Sequence, residues 1–314
     1  MKYLIILSSI FTIGMSQDGK FSGVVYYNYS HDLTKDATNE DTGFDLTRVY
    51  FTYNQTISEG LTYNFQTDIN SSASPKAVYL KKAKVDWKSP IGKLTIGLQG
   101  MNVFNVAEKT WGFRFLEKSP MDLHEFSSSA DLGIGYSGKI SKVNYSFLVT
   151  NGTGYKNKEN DEYKKISTQF VYGEKKLVKQ DGYNVGPVYT MEPYDDDSNA
   201  TKNKNVMGFF GGFAGKGIRL GGEFDTHTDS GTDLTQQIIA IYGSYKVSEA
   251  LECLIYYDMY DPDTNTDKDG TNYIIAGFNY YPTYGLMITP NVRLANPEGG
   301  ESTTHLMVNF QFMF

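Results

Sequence analysis

The chain has 314 residues, a formal net charge of −7 and a single cysteine. The acidic balance argues against nucleic acid as a partner, and one thiol excludes an intramolecular disulfide framework. Tyr (25), Phe (19) and Gly (31) are abundant, a composition suited to strands and tight turns more than to helices.

The first element is an export signal. Lys2 supplies a positive start, Tyr3 to Ile13 is an apolar stretch, and Gly14 and Ser16 fit the small-residue positions of a cleavage site. That stretch is well short of the ~20 residues a spanning helix needs. Residues 1–16 therefore read as a signal peptide, and residues 17–314 as one domain. No Cys stands directly after the apolar stretch, which argues against a lipoprotein anchor.

From there the dominant pattern is strict alternation over segments of about ten residues. In Leu61–Asn70, Leu61, Tyr63, Phe65 and Ile69 share one face, and Thr62, Asn64, Gln66, Asp68 and Asn70 the other. The pattern recurs around Val143–Thr150, Ile166–Tyr172, Ile218–Asp225, Leu251–Met259 and Leu286–Leu294. Short turns near Ser58–Gly60, Ser89–Gly92, Lys139–Lys142, Ala214–Gly217, Val247–Ala250 and Pro282–Gly285 alternate with longer polar stretches. Those stretches are His31–Gly43, Asn70–Lys76, Gly100–Ala130, Asn151–Tyr163, Pro193–Lys204, Thr228–Asp233, Asp261–Gly270 and Ala295–Glu301. Short turns at one end and long loops at the other imply an all-β, transmembrane, antiparallel up-and-down barrel in an outer membrane.

The pattern counts about sixteen strands. Fourteen or eighteen stay open, because the strand after the weak turn near Leu177–Gly182 contains Gly186 and Pro187. The last segment places Leu306, Val308, Phe310, Phe312 and Phe314 in phase and stops on Phe314. Such a ladder ending on an aromatic residue is similar to the terminal signal read by the outer-membrane assembly machinery.

The loop after the fifth strand, Gly100–Ala130, is the longest and unusually apolar. Met101, Val103, Phe104, Val106, Trp111, Phe113, Phe115 and Leu116 are expected to pack on the barrel wall, folding this third external loop into the lumen. Glu108, Lys109, Arg114, Glu117 and Lys118 would then line a constriction as opposed charges. On the wall, alternation turns Arg48, Lys82, Lys84, Lys88, Arg219 and Arg293 toward the lumen, with Lys82, Lys84 and Lys88 as a stripe. Cys253 falls on the lipid face.

Asn265, Asp267, Asp269 and Gly270 have the start of a calcium-loop pattern, but Ala276 stands where the bidentate Glu belongs. The bland alternative is an acidic external loop, one that could bridge to lipopolysaccharide phosphates through divalent cations. His31, His124, His227 and His305 show no metal spacing, and no nucleophile elbow, phosphate loop or zinc-protease motif occurs. Neither a cofactor nor an enzyme is expected.

The segment GFDLTRVYFTYNQTISEGLTYNFQTD, with Arg48, Tyr63 and Asp68, resembles the early hairpin of the phosphate-selective porin O/P family. LTIGLQG, SADLGIGYSG and VTNGTG resemble that family's segments around its inward loop. The resemblance implies a sixteen-stranded trimeric channel with the third loop in the pore. It does not carry the phosphate preference, because the chain has four arginines and is acidic overall. The expected function is an outer-membrane porin passing small hydrophilic solutes or ions. The alternatives are a structural or adhesive barrel without an open pore and an outer-membrane enzyme.

Overall fold

The computed structural model describes residues 19–34 and 42–314; the signal-peptide segment and most of the first long loop lie outside the described residues. The strands are β1 (Lys20–Asp32), β2 (Gly43–Ser58), β3 (Leu61–Asn70), β4 (Ala77–Ser89), β5 (Gly92–Gly100), β6 (Ala130–Ile140), β7 (Val143–Thr150) and β8 (Lys165–Gly173). They continue as β9 (Gly182–Asp195), β10 (Thr201–Gly215), β11 (Ile218–Asp229), β12 (Leu234–Lys246), β13 (Leu251–Asp261), β14 (Thr271–Thr283), β15 (Leu286–Pro297) and β16 (Thr303–Met313). Each pairs antiparallel with its sequence neighbours, and β1 pairs with β16, so the sheet closes without an edge.

The alternation has the cause expected of it. On β13, Cys253 and Ile255 are exposed outward, whereas Leu254, Tyr256 and Asp258 are buried inward. Trp87, Ile96, Phe209, Ile241 and Ile255 each expose more than half their surface. So broad an apolar exterior is stable only against hydrocarbon. The closure is tight at the C-terminus, where Gly23 and Phe314 exchange backbone hydrogen bonds of 2.9 and 3.1 Å.

The strand count resolves to sixteen, and Pro187 shows why the weak segment still forms. Pairing between β8 and β9 is interrupted between Gln169↔Val188 and Tyr172↔Val185, so the proline sits where no ladder donor is required. Two expected loops are shorter than the sequence suggested. β9 runs to Asp195 and β10 starts at Thr201, so most of Pro193–Lys204 is strand, and β15 extends through Ala295 to Pro297. Strands that rise beyond the apolar band keep their ladder but lose the apolar alternation that marks them in sequence.

Candidate functional site

The segment between β5 and β6 forms two short helices, α1 (Asn105–Trp111) and α2 (Pro120–Leu123). In α1, Val106, Ala107, Thr110 and Trp111 share a buried face, leaving Glu108 and Lys109 on the other. The helix stops at Gly112, whose left-handed backbone (φ 81°) lets its N–H bond Glu108 O.

Every apolar residue singled out in this segment is buried, none more than 4% exposed. Met101, Val103 and Phe104 cluster with Leu148, Val188, Val206 and Ile238 of the wall, Val106 with Val171 and Phe210, and Trp111, Phe113, Phe115 and Leu116 with Tyr26, Tyr242, Leu254, Tyr256 and Ile275. Trp111 stands 5.1 to 5.6 Å from the rings of Phe113, Tyr256 and Tyr242, and the Tyr242 hydroxyl donates to Ala107 O at 3.2 Å. Glycines make the approach possible. A methyl group on Gly212 or Gly221 would stand 2.5 or 2.8 Å from Thr110 Cγ2. His124 bonds Asp258 at 3.3 Å and stacks on Tyr260.

The far end of the segment reaches β15 and β16. Arg293 donates to Glu117 Oε2 at 2.8 Å and to Leu116 O at 2.6 Å, and Asn309 donates to Phe115 O at 3.2 Å. Trp111 Nε1 donates to Glu117 O at 2.9 Å, folding the segment back on itself. Arg114 forms ion pairs with both Glu108 and Asp122. These carboxylates hold its guanidinium well above the ordinary arginine range, against the opposing effect of burial.

The space left on the other side divides at Arg114. A cavity of about 520 Å³ is lined by Lys81, Lys82, Lys84, Lys93, Lys109, Arg114, Lys175 and Lys176, with Glu108 the one carboxylate among its lining residues. A second cavity of about 320 Å³ shares Arg114 and adds Arg48, Lys118, Lys156 and Arg293, with Glu117. The five loop residues expected in one constriction are thus divided, Glu108 and Lys109 in the first cavity and Glu117 and Lys118 in the second. Acids on the other wall do not offset the charge. Glu223, Asp225 and Asp258 are at most 5% exposed, in neither cavity's lining.

Arg48 pairs with the fully buried Asp68 at 2.7 Å, and Lys84 with Asp86 at 2.6 Å. Lys88 departs from the stripe: it is exposed near the end of β4 and lines neither cavity. Arg219 faces inward but elsewhere, 3.5 Å from Glu252 and over the Phe113 ring at 4.6 Å. Lys81 was missed because strict alternation puts it on the lipid face. The register shifts after Gln66↔Lys82, so Lys81 is the extra residue of a bulge, and both lysines face the cavity. Two adjacent lysines in the middle of a strand are the sequence trace of that bulge. Lys175 and Lys176 were missed because they lie in a connection.

The calcium-like loop forms a different structure. Asp263 accepts from Asn265 N–H at 3.1 Å and from the Thr266 hydroxyl at 3.0 Å, while Asn265 and Asp267 are exposed. Among the described residues no cluster of three or more His, Cys, Asp or Glu side chains is placed to hold a metal ion.

Residues 16–289 match the profile of the Gram-negative porin family. No curated protein sequence matches. Among solved structures, an anion-selective porin from Comamonas acidovorans superposes with a TM-score of 0.73 at 13% identity, over 95% of this chain and 99% of that one. OmpF of Salmonella typhi, in complex with daunomycin, gives 0.69 at 14%, over 94% and 97%. The outer-membrane channel DcaP of Acinetobacter baumannii gives 0.69 at 11%, over 95% and 97%. A closed sixteen-stranded barrel with a lipid-compatible exterior and water-facing charged cavities joins that profile match to one conclusion: the chain belongs to the Gram-negative porin family, passive diffusion channels of the outer membrane.

Proposed function

We propose that this porin passes small hydrophilic anions in preference to cations, through the gap between the β5–β6 segment and the β2–β8 wall. One observation carries the reading: of the eight cationic side chains lining the larger of these two cavities, Lys84, Lys93 and Arg114 have carboxylate partners and the other five do not, in a chain whose formal charge is −7. Permeant ions respond to the field of the narrow lumen they cross, not to net charge. Lys81, Lys82, Lys109, Lys175 and Lys176 have no carboxylate within ion-pairing distance among the described residues. The likeness to an anion-selective porin agrees with this reading.

Lys109, Arg114 and Lys118 attract the anion along its path, and Glu108 and Glu117 orient the basic groups. No covalent step and no cofactor is involved. The finer likeness to phosphate-selective porins makes inorganic phosphate one anion to compare with chloride. The assembly we infer is a homotrimer, and the acidic external loops around Asp195–Asp197 and Asp261–Asp269 suit divalent-bridged contact with lipopolysaccharide.

Planar-bilayer recording of the refolded mature protein in a potassium chloride gradient tests the proposal. Stepwise openings with a reversal potential of chloride-preferring sign are expected. A potassium-preferring sign would overturn the anion reading, and a folded barrel that stays silent would favour a closed structural role.

A further inference from the structure

The connection between β8 and β9, residues 174–181, lies at the end of the barrel where the other connections are short turns. It turns inward. Leu177 is 3% exposed, and Val178 N–H donates to Lys109 O of α1 at 3.1 Å. Asn184 on β9 fastens both partners at once: its side-chain amide donates to Glu174 O at 2.9 Å and to the Thr110 hydroxyl at 3.1 Å. The fit at Gly112 is close, since a methyl group there would stand 2.8 Å from Val178 Cγ2. The connection therefore touches the helix that carries Glu108 and Lys109 directly, from the end of the barrel that carries the short turns. It also brings Lys175 and Lys176 into the cationic cavity.

We infer that the β8–β9 connection is a second selectivity element of the channel, which braces α1 from below and uses Lys175 and Lys176 to set anion preference at the periplasmic mouth. The inference rests on the anion-preferring reading and adds residues from a turn, a kind of segment that ordinarily only joins strands. Its chemistry is that of the main cavity: ammonium groups without carboxylate partners, offered to a hydrated anion entering or leaving. The crowding is visible at Lys175. Burial, with Lys93, Lys176 and Lys139 nearby, draws its ammonium below the usual lysine range. Ammonium groups held near one another in this way gain from a passing anion.

The test is the reversal potential of Lys175→Glu/Lys176→Glu beside the parent protein in the same salt gradient. Lys175→Arg/Lys176→Arg and Lys216→Glu serve as controls, the latter an exposed lysine in a different turn. The expected result is a severalfold fall in the chloride-to-potassium permeability ratio for the double Glu variant alone. If the parent prefers cations, the anion reading fails, yet a shift in the double Glu variant still places these lysines on the ion path. If the parent prefers anions and the double Glu variant matches it, the inference is overturned. Lys175→Gln/Lys176→Gln, which introduces no new charge, decides the matter by the same ratio should the Glu variant not fold. The bracing role has its own readout. Val178→Pro, which lacks the N–H donor, is expected to raise open-channel current noise with little change in the ratio, and unchanged noise would remove that role.

Discussion

Arg293 on β15 and Glu117 in the β5–β6 segment are 176 residues apart in sequence and joined at 2.8 Å. The same guanidinium donates to Leu116 O, and Tyr273 donates to the same carboxylate at 3.0 Å. The tip of the inward segment is thus fixed to the wall opposite its stem by a charged clasp with both partners mostly buried.

Opening that clasp should free the tip. Arg293→Ala removes a charge-assisted contact worth about 1.5–3 kcal/mol. It is expected to raise open-channel noise and lower the temperature at which the barrel loses its compact gel mobility. Arg293→Lys should recover only part, since a compact ammonium lacks the planar fork that sets one nitrogen on the carboxylate and another on the carbonyl. Noise and conductance like the parent's in Arg293→Ala would show that other contacts suffice to hold the tip.

The β4 bulge makes a prediction that strict alternation reverses. In a Cys253→Ala background, Lys81→Cys should react with a charged, water-soluble thiol reagent and change the current as Lys82→Cys does. Ala83→Cys, facing lipid, should not. Protection of Lys81→Cys would put that residue on the outer face and remove it from the cavity.

Selectivity should depend on pH near neutrality. Burial draws the Lys109 ammonium down to about 8, with Glu108 opposing and Lys175, Lys176 and Lys82 adding to the shift. Burial pushes the Tyr155 phenol up, but Lys81 beside it prevails and brings it to about 8 as well. Lysine loses its positive charge and tyrosine gains a negative one above its pKa, so both changes make the lumen less positive as pH rises through 8. Anion preference, read as reversal potential, should therefore fall from pH 7 to pH 9. Lys109→Arg/Tyr155→Phe should flatten the profile, and a parent profile already flat would contradict these shifts.

Trp111 anchors α1 among Phe113, Tyr242 and Tyr256 at 1% exposure. Replacing a buried tryptophan by alanine typically costs about 3–5 kcal/mol. Here that cost falls on the docked segment, because the strand ladder does not depend on it. Trp111→Ala is expected to fold as a barrel with higher and noisier conductance. A quiet channel of parental conductance would mean that the segment redocks without its anchor.

The C-terminal residue closes the sheet. A methyl group on Gly23 would stand 2.2 Å from the Phe314 ring, so that glycine makes room for the last side chain. Deleting Phe314 removes both backbone bonds to Gly23 and should lower the yield of heat-modifiable barrel. Channels that do form should conduct like the parent, because the lumen is untouched. Parental yield would argue against a closing role.

The architecture was legible because a closed barrel in lipid needs a local signal in every strand. Each one must alternate, so Leu61–Asn70 and Leu306–Phe314 announce themselves without reference to any partner. The burial of the β5–β6 segment was legible for a similar reason: Val103, Trp111 and Phe113, each at most 2% exposed, have no place in water. What the sequence left open were relations between distant segments. Whether Glu117 meets Lys118 or Arg293 depends on where the segment lands across the lumen. Whether Lys81 faces lipid or water depends on one shifted pair in the β3–β4 register, and the place of Lys175 and Lys176 beside α1 depends on how a connection folds under a helix far earlier in the chain. The sequence by itself determined the barrel, which of its ends carries the short turns and the residues that had to be hidden, because burial in hydrocarbon constrains each strand separately. Only the tertiary structure decided which charges share a cavity, because an electrostatic site is defined by distances in space and no periodicity along the chain encodes them.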